Sequence, residues 1–253
     1  MLIKTINTES LTTYVYNTRD EMGAAAAEYA SQAVNAVIAE KGYANVIFAA
    51  APSQNETLYH FLRSGVDFTK INAFHMDEYL GLSIKDDQSF ARYLYDHVFS
   101  HAPFASVHYL PATLEKEEAC KTYSELLRKF PPDVVLMGIG ENGHIAFNDP
   151  PVADFNDPHL VKPVALDEIC RMQQVHDGCF PDIDSVPKYA LTLTVPALLS
   201  AKYLVCTVPA PTKANAVNSM LNGEYGEVCP ATSLRHHGGA KMFLDRDSAA
   251  LVI

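Results

Sequence analysis

Short, almost uninterrupted apolar runs alternate along this chain with longer stretches in which apolar residues return every three or four positions. The runs predict strands at residues 2 to 6, 45 to 50 (NVIFAA), 71 to 76 (INAFHM), 107 to 110 (VHYL), 133 to 139 (DVVLMGI), 189 to 195 (YALTLTV), 202 to 208 (KYLVCTV) and 241 to 245 (KMFLD). The stretches between them predict helices over 19 to 41, 55 to 64, 89 to 99, 115 to 129 and 211 to 221, with Pro211 suited to a first helical turn and Gly223 to a C-cap. A strand that is apolar at every position is covered on both faces, which is the habit of parallel sheets. Strand and helix in alternation therefore imply an α/β fold with a doubly wound, mostly parallel, Rossmann-like sheet, whose ligand lies beyond the carboxyl ends of the strands. Three strand ends then matter most: AAPSQNET after 45 to 50, MDEYLGL after 71 to 76, and the loop GIGENGHIAFNDP at 138 to 150, which MDEYLGL is expected to adjoin.

A length of 253 residues is within what one core supports, so a single domain over 1 to 253 is expected. Hydrophobic residues make up 48% and charged residues 19%, too apolar for disorder. The formal charge of -11 disfavours an extended nucleic-acid or anionic-membrane surface, and leaves room for one local site for a small anion. Five cysteines with no C-x-x-C pair suggest reduced thiols in the cytoplasm, neither a disulfide framework nor a zinc knuckle. MLIKTINTESL lacks the apolar core of a signal peptide, and no run reaches the roughly 18 apolar residues of a membrane span.

GIGENG satisfies G-x-G-x-x-G, the spacing that cradles a dinucleotide pyrophosphate when its third glycine opens a helix. Here Gly143 is followed by His144, and Pro150 and Pro151 come too soon for that helix. The motif also lies past the middle of the chain, with no acidic residue at the end of a following strand. The remaining readings are a surface loop with capping residues and a solvated histidine, or a catalytic loop presenting Glu141, Asn142, His144, Asn148 and Asp149 at a sheet edge. Asp77 and Glu78, directly after an apolar strand, favour the second. A carboxylate desolvated at a strand end gains base strength and suits abstraction of a proton from carbon next to a carbonyl. A histidine whose tautomer is fixed by Asp149 or Asn142 shuttles protons on and off oxygen near neutral pH. Together they equip a site for sugar ring opening and enolisation without a metal or cofactor.

FHMDEYLGL at 74 to 82, GIGENGHIAFNDPP at 138 to 151, VPKYALTLTVPALLSA at 186 to 201 and KMFLDRDSA at 241 to 249 resemble, in order and over nearly the whole chain, the glucosamine-6-phosphate deaminase family. That family shares its fold with 6-phosphogluconolactonases, and MDEYLGL is the deaminase form of its strand end. The resemblance implies a deaminating aldose-ketose isomerase that turns an amino-sugar phosphate, glucosamine 6-phosphate first, into a ketose phosphate and ammonia. It implies Asp77 as the base that moves a proton between C2 and C1, and His144 as acid and base of ring opening. Asp149 stands where the deaminases usually carry Glu. Glu78, Gly140 and Gly143 are expected to border the sugar, and the partner is a small sugar phosphate bound by a monomer or small homo-oligomer.

Two departures bear on substrate. Asn142 stands where the deaminases usually have Asp; an amide cannot stabilise imidazolium by charge, so Asn142→Asp is expected to accelerate ring opening. Relatives acting on galactosamine 6-phosphate carry Asn there, so a different amino sugar is one alternative and a catalytically silent sugar-phosphate sensor is another. The glycine-rich phosphate turn of the deaminases is replaced by APSQNET, leaving the N-H groups of Ser53 and Gln54 and the Ser53 hydroxyl for an anion, with Glu56 a like charge unless it points away. Lys213 keeps the position of the phosphate lysine. The expected arginine is missing from QQVHDGCF at 173 to 180, so Arg171 or His176 is expected to stand in, with Arg235, His236 and His237 at the far rim.

Overall fold

The computed structural model describes residues 1–253. Eleven strands form two sheets. The first has eight strands: β1 (Leu2–Thr8), β2 (Leu11–Tyr16), β3 (Ala44–Phe48), β4 (Ile71–His75), β6 (Ser106–His108), β7 (Val134–Met137), β10 (Tyr203–Val208) and β11 (Ala240–Leu244). Their order is β1-β2-β11-β10-β7-β3-β4-β6, parallel throughout except for β1, which runs antiparallel at the edge. The second sheet is antiparallel, in the order β5 (Asp77–Tyr79), β9 (Tyr189–Leu193), β8 (Val161–Ala165).

All four residues of β7 are buried, and successive residues feed opposite cores. Ile47, Phe74, Val135, Met137 and Cys206 belong to one apolar cluster, while Val46, Phe48, Ala73, Leu136 and Val205 belong to the other. The continuously apolar runs are thus central parallel strands with both faces covered, as the pattern predicts.

Helix α1 (Arg19–Lys41) has the predicted bounds because both ends are capped. The Thr18 side chain accepts from the Glu21 N-H at 3.2 Å, and Gly42 closes the helix in the left-handed region at φ 85°. The other helices are α2 (Asn55–Phe61), α3 (Phe90–Leu94), α4 (Lys116–Lys129), α5 (Glu168–His176), α6 (Val195–Leu199) and α7 (Ala214–Asn222). The 89 to 99 pattern is α3 continued by a π turn, and the 211 to 221 pattern opens with a 3-10 turn at Pro211–Lys213 before α7, which Gly223 caps.

Five elements escaped the pattern: β2, β5, β8, α5 and α6. β5 and β8 are short, and Pro163 is tolerated in β8 because that strand lies at an edge. The 189 to 195 run pairs antiparallel in the small sheet and is not a strand of the main one.

The chain reverses direction across the sheet between β3 and β7: β4 and β6 lie on one side of this pair, β10, β11 and β2 on the other. A crevice opens at such a switch point, and the two loops that border it are 49 to 54 and 138 to 149. MDEYLGL does not adjoin the 138 loop through its strand, since β3 separates β4 from β7.

Gly23, in the second turn of α1, lets α2 approach. A Cβ there would lie 2.5 Å from Glu56 Cβ and 2.8 and 2.9 Å from the backbone of Glu56 and Thr57. Gly23→Ala is therefore expected to cost about 1–3 kcal/mol of stability by forcing α1 away from α2. Urea unfolding checks this through a lowered midpoint at constant slope; an unchanged midpoint contradicts the close packing.

Candidate active site

The first wall of the crevice leaves β3 at Ala49, whose N-H still bonds to Leu136 O of β7 at 2.9 Å. A single 3-10 turn, Pro52–Gln54, follows. The Gln54 side chain is tied across the crevice to β10: its carbonyl accepts from the Thr207 hydroxyl at 2.8 Å, and its amide donates to Thr207 O at 3.2 Å and Ser53 Oγ at 3.2 Å. The Gln54 N-H is spent on Ala51 O at 2.9 Å, so the expectation that it serves an anion does not hold; the Ser53 N-H and hydroxyl remain. Glu56 turns away from the crevice, held by Arg19 at 2.8 Å. The Arg19 guanidinium also bonds to Pro52 O, which pins the turn.

The opposite wall is the turn that carries Lys213. Ala210 sits at φ 85° and ψ 150°, a region nearly reserved for glycine, and both Asp245 carboxylate oxygens accept from its N-H, at 3.2 and 3.0 Å. The strain is local to the turn that aims Lys213. Lys213 is 5% exposed; burial pulls its pKa below the usual lysine value, only partly offset by Asp177 and Glu141.

The floor is the loop after β7. Gly140 accepts His144 beneath it, since a Cβ at 140 would lie 2.1 Å from the imidazole Cε1. Gly143 takes φ 84°, and a Cβ on it would strike Cys229 Sγ at 2.6 Å, so this glycine serves the turn itself. Asn148 ties the loop to the small sheet through Leu193 O at 2.8 Å, and the Phe147 N-H bonds to Thr192 Oγ1 at 3.1 Å. Thr192 is also the strand partner of Asp77. One residue of β9 thus sets the base candidate and the loop in register.

His144 Nδ1 lies 2.7 Å from Asn142 Oδ1 and 2.9 Å from Asp149 Oδ1. Both are acceptors, so Nδ1 carries the proton and Nε2 is left basic. The amide orientation is fixed: Asn142 Oδ1 also accepts from the His144 backbone N-H at 3.0 Å, while Nδ2 donates to Asp149 Oδ1 at 2.9 Å and Asp167 Oδ2 at 3.3 Å. Burial pushes the Asp149 carboxyl up, but the bond from His144, its charge and the Asn142 amide outweigh burial and hold the group below its usual value. The sequence offered Asn142 or Asp149 as the partner of His144; both are.

Asp77 is 7% exposed, and no protein donor reaches its carboxylate. Burial raises its pKa well above the usual carboxylate value, and the charges of Glu78 and Asp149 raise it further. Ser53, Gln54, Asp77, Gly140, His144 and Lys213 line one crevice, with Met76, Phe90, Phe147 and the α5 residues Gln173 and Gln174. Its cavity measures about 60 Å³, room for a few water molecules. The Gln173 and Gln174 side chains of α5 form a part of its wall that comes from outside the main sheet.

Several expected contacts lie elsewhere. Glu78 does not border the crevice: its carboxylate accepts from the N-H groups of Tyr79, Phe90 and Ala91 at 3.0, 3.1 and 2.8 Å and so ties β5 to the start of α3. Burial, opposed by those bonds, pushes it up to about 7. Arg171 donates to Ile183 O and to Val186 O at 3.0 Å, which makes it a brace for the segment before β9. His176 is half-exposed beside Glu141. Arg235 and His236 pair with Glu9, and His237 bonds to Ala201 O, so none of the three forms a rim. The pattern missed Asp167, Cys170, Gln173 and Gln174, all on or next to α5; DEICRMQQ had a usable signal, an Asp N-cap before a Glu, that went unread.

Residues 17–243 match a family model described as glucosamine-6-phosphate isomerases/6-phosphogluconolactonase. The chain is 30% identical over 227 residues to a glucosamine-6-phosphate deaminase of Bacillus cytotoxicus, covering 89% of this chain and 84% of that protein. It is 32% identical over 228 residues to one of Bacillus cereus, covering 85% of each. A solved monomeric glucosamine-6-phosphate deaminase superposes with a TM-score of 0.86 at 30% identity, covering 94% of this chain and 99% of that one. A 6-phosphogluconolactonase from Thermotoga maritima shares the fold, at a TM-score of 0.74 and 22% identity over 92% of this chain and 99% of that one. With its crevice at the expected strand ends and most of its length matched, the chain belongs to the family of glucosamine-6-phosphate isomerases and 6-phosphogluconolactonases.

Proposed function

We propose that this protein is a deaminating aldose-ketose isomerase acting on glucosamine 6-phosphate. The observation that carries the reading is the pair of separate proton handlers in one crevice: a buried carboxylate with no hydrogen-bond donor, and an imidazole whose Nδ1 proton is locked. His144 Nε2 takes the proton of the C1 hydroxyl and returns one to the ring oxygen, which opens the sugar to an aldehyde. Asp77 then removes the proton from C2, made acidic by that aldehyde, and delivers it to C1. As O1 gains the proton that the ammonium group loses, C1 becomes a hydroxymethyl group and C2 an iminium, which takes up water and releases ammonia; the net change is isomerisation to the ketose phosphate with hydrolytic loss of the nitrogen. Ser53 and Lys213 supply a hydroxyl, an N-H and a desolvated ammonium for the phosphate. The names of the relatives agree with this substrate, and the monomeric relative supports a single-domain monomer as the working unit.

Asn142 and the altered phosphate loop are the reasons to consider galactosamine 6-phosphate or a silent sensor, and the hydrogen bonds of Asn142 support a part for it in the deaminase reading. Its amide donates to two carboxylates that converge on one point, a task no carboxylate can perform. Charge opposite the imidazolium comes from Asp149 instead. The expectation that Asn142→Asp accelerates ring opening is thereby reversed.

Incubation with glucosamine 6-phosphate is expected to yield ammonia and ketose phosphate in equal amounts, with galactosamine 6-phosphate the poorer substrate; binding of both with turnover of neither would leave a sensor. Asp77→Asn is expected to reduce deuterium exchange at C2 of an open-chain analogue by roughly 10²–10⁴-fold, while His144→Gln spares that exchange and slows the cyclic substrate. Equal losses on both substrates contradict the division of labour. Asn142→Asp is expected to slow turnover of the cyclic substrate by roughly tenfold or more, since it sets three carboxylates together in a dry site. Faster turnover would show that Asp149 does not carry the charge.

A further inference from the structure

The proposed chemistry uses one oxygen of Asp149. Its other oxygen, Oδ2, is buried in a residue that is 0% exposed and has no donor at good hydrogen-bond geometry, only the weak thiol of Cys170 and the Asp167 N-H nearby. A poorly paired carboxylate oxygen in the interior is costly, and such an atom asks for a cation or a donor. The side chain that faces this place is Cys170, fully buried on α5 and used by nothing in the reaction. One nitrogen of His144, one carboxylate oxygen of Asp149 and Cys170 Sγ all lie within 4.8 Å of one another. In a tetrahedral zinc site, with bonds of about 2.0–2.3 Å, ligand atoms stand roughly 3.3–3.8 Å apart, so small side-chain rotations close the set.

We propose that His144, Asp149 and Cys170 form a binding site for a thiophilic divalent cation, Zn²⁺ above all, and that occupancy of this site switches the proton relay off. The donor set of nitrogen, oxygen and sulfur is that of zinc, with a water molecule to complete the fourth position. The atom of His144 turned toward Asp149 is Nδ1, 2.9 Å from Oδ1, and it becomes the ligand. Nδ1 then gives up its hydrogen, and the neutral ring carries its proton on Nε2. Nε2, the base of ring opening, can no longer accept a proton. The Cys170 thiol loses its proton to solvent as the sulfur-metal bond forms, so one proton is released per cation and binding strengthens with rising pH.

The test titrates the protein with Co²⁺ alone. One equivalent is expected to produce the near-ultraviolet thiolate-to-cobalt absorption, Zn²⁺ to displace it, and Cys170→Ser to abolish it while weakening binding at least roughly tenfold. A Cys120→Ser/Cys179→Ser/Cys229→Ser variant, which keeps Cys170, is expected to retain the band, and this arm holds even where Cys170→Ser perturbs folding. Absence of saturable binding, a band that survives in Cys170→Ser, or a band lost from the triple variant would overturn the site. The inhibitory half rests on the proposed activity and has its own readout: Zn²⁺ is expected to stop ammonia release and a chelator to restore it. Tight binding without inhibition would overturn the switch and leave the site standing, and failure of the substrate reading would leave the absorption result untouched.

Discussion

A largely buried carboxylate that no protein donor reaches is the constraint around which this crevice is arranged. Asp77 stands where the main sheet hands the chain to the small one, with only Met76 between β4 and β5, and no donor reaches its carboxylate. Left to itself, such a group would find a proton or a partner. The small sheet denies it donors: β5 pairs with β9, so Asp77 faces Thr192, whose hydroxyl is already engaged with Leu193 O and the Phe147 N-H. The same burial that weakens the folded state gives the group its strength as a base. Glu78, next in sequence, has a similar burial and three N-H donors, and it serves structure. Two adjacent carboxylates thus differ in role because their neighbours differ.

The imidazole side of the crevice is governed by charge balance. Asp149, Asp167 and the developing imidazolium of His144 meet around one amide, and only a group that donates on one side and accepts on the other fits between them. This accounts for Asn142 together with the shorter carboxylate at 149: they form a single arrangement. It also leaves Asp149 Oδ2 poorly paired beside Cys170, so the proposed cation site is a by-product of the same rearrangement.

Much of this was legible in the chain. Continuous apolar runs marked β3, β4, β7, β10 and β11, because burial on both faces erases alternation, and the helical spacing over 19 to 41 marked α1. Asp77, His144 and Asp149 stood out as candidates because strand ends in such a fold are few and polar residues at them are conspicuous, while Ser53 and Lys213 became candidates through the family resemblance; the fold brings all but Asp149 to one crevice and sets Asp149 against His144. What was not legible depends on long-range pairing. The role of Glu78 is set by N-H groups of Phe90 and Ala91, that of Arg171 by carbonyls of Ile183 and Val186, and that of Asn142 by Asp167, each beyond the reach of local spacing. The small sheet was missed for the same reason, since β5 and β8 acquire strand geometry only by pairing with β9.

The central claim is that burial without a partner makes Asp77 a strong base. Infrared difference spectra between the native protein and Asp77→Asn, followed across pH, report the protonated carboxyl of this one residue. The account predicts that its protonated band persists well above the ordinary aspartate value of about 3.9, and that Glu78→Gln, by removing a neighbouring negative charge, moves the transition to lower pH. An Asp77 that titrates at the ordinary value in the folded protein would contradict it.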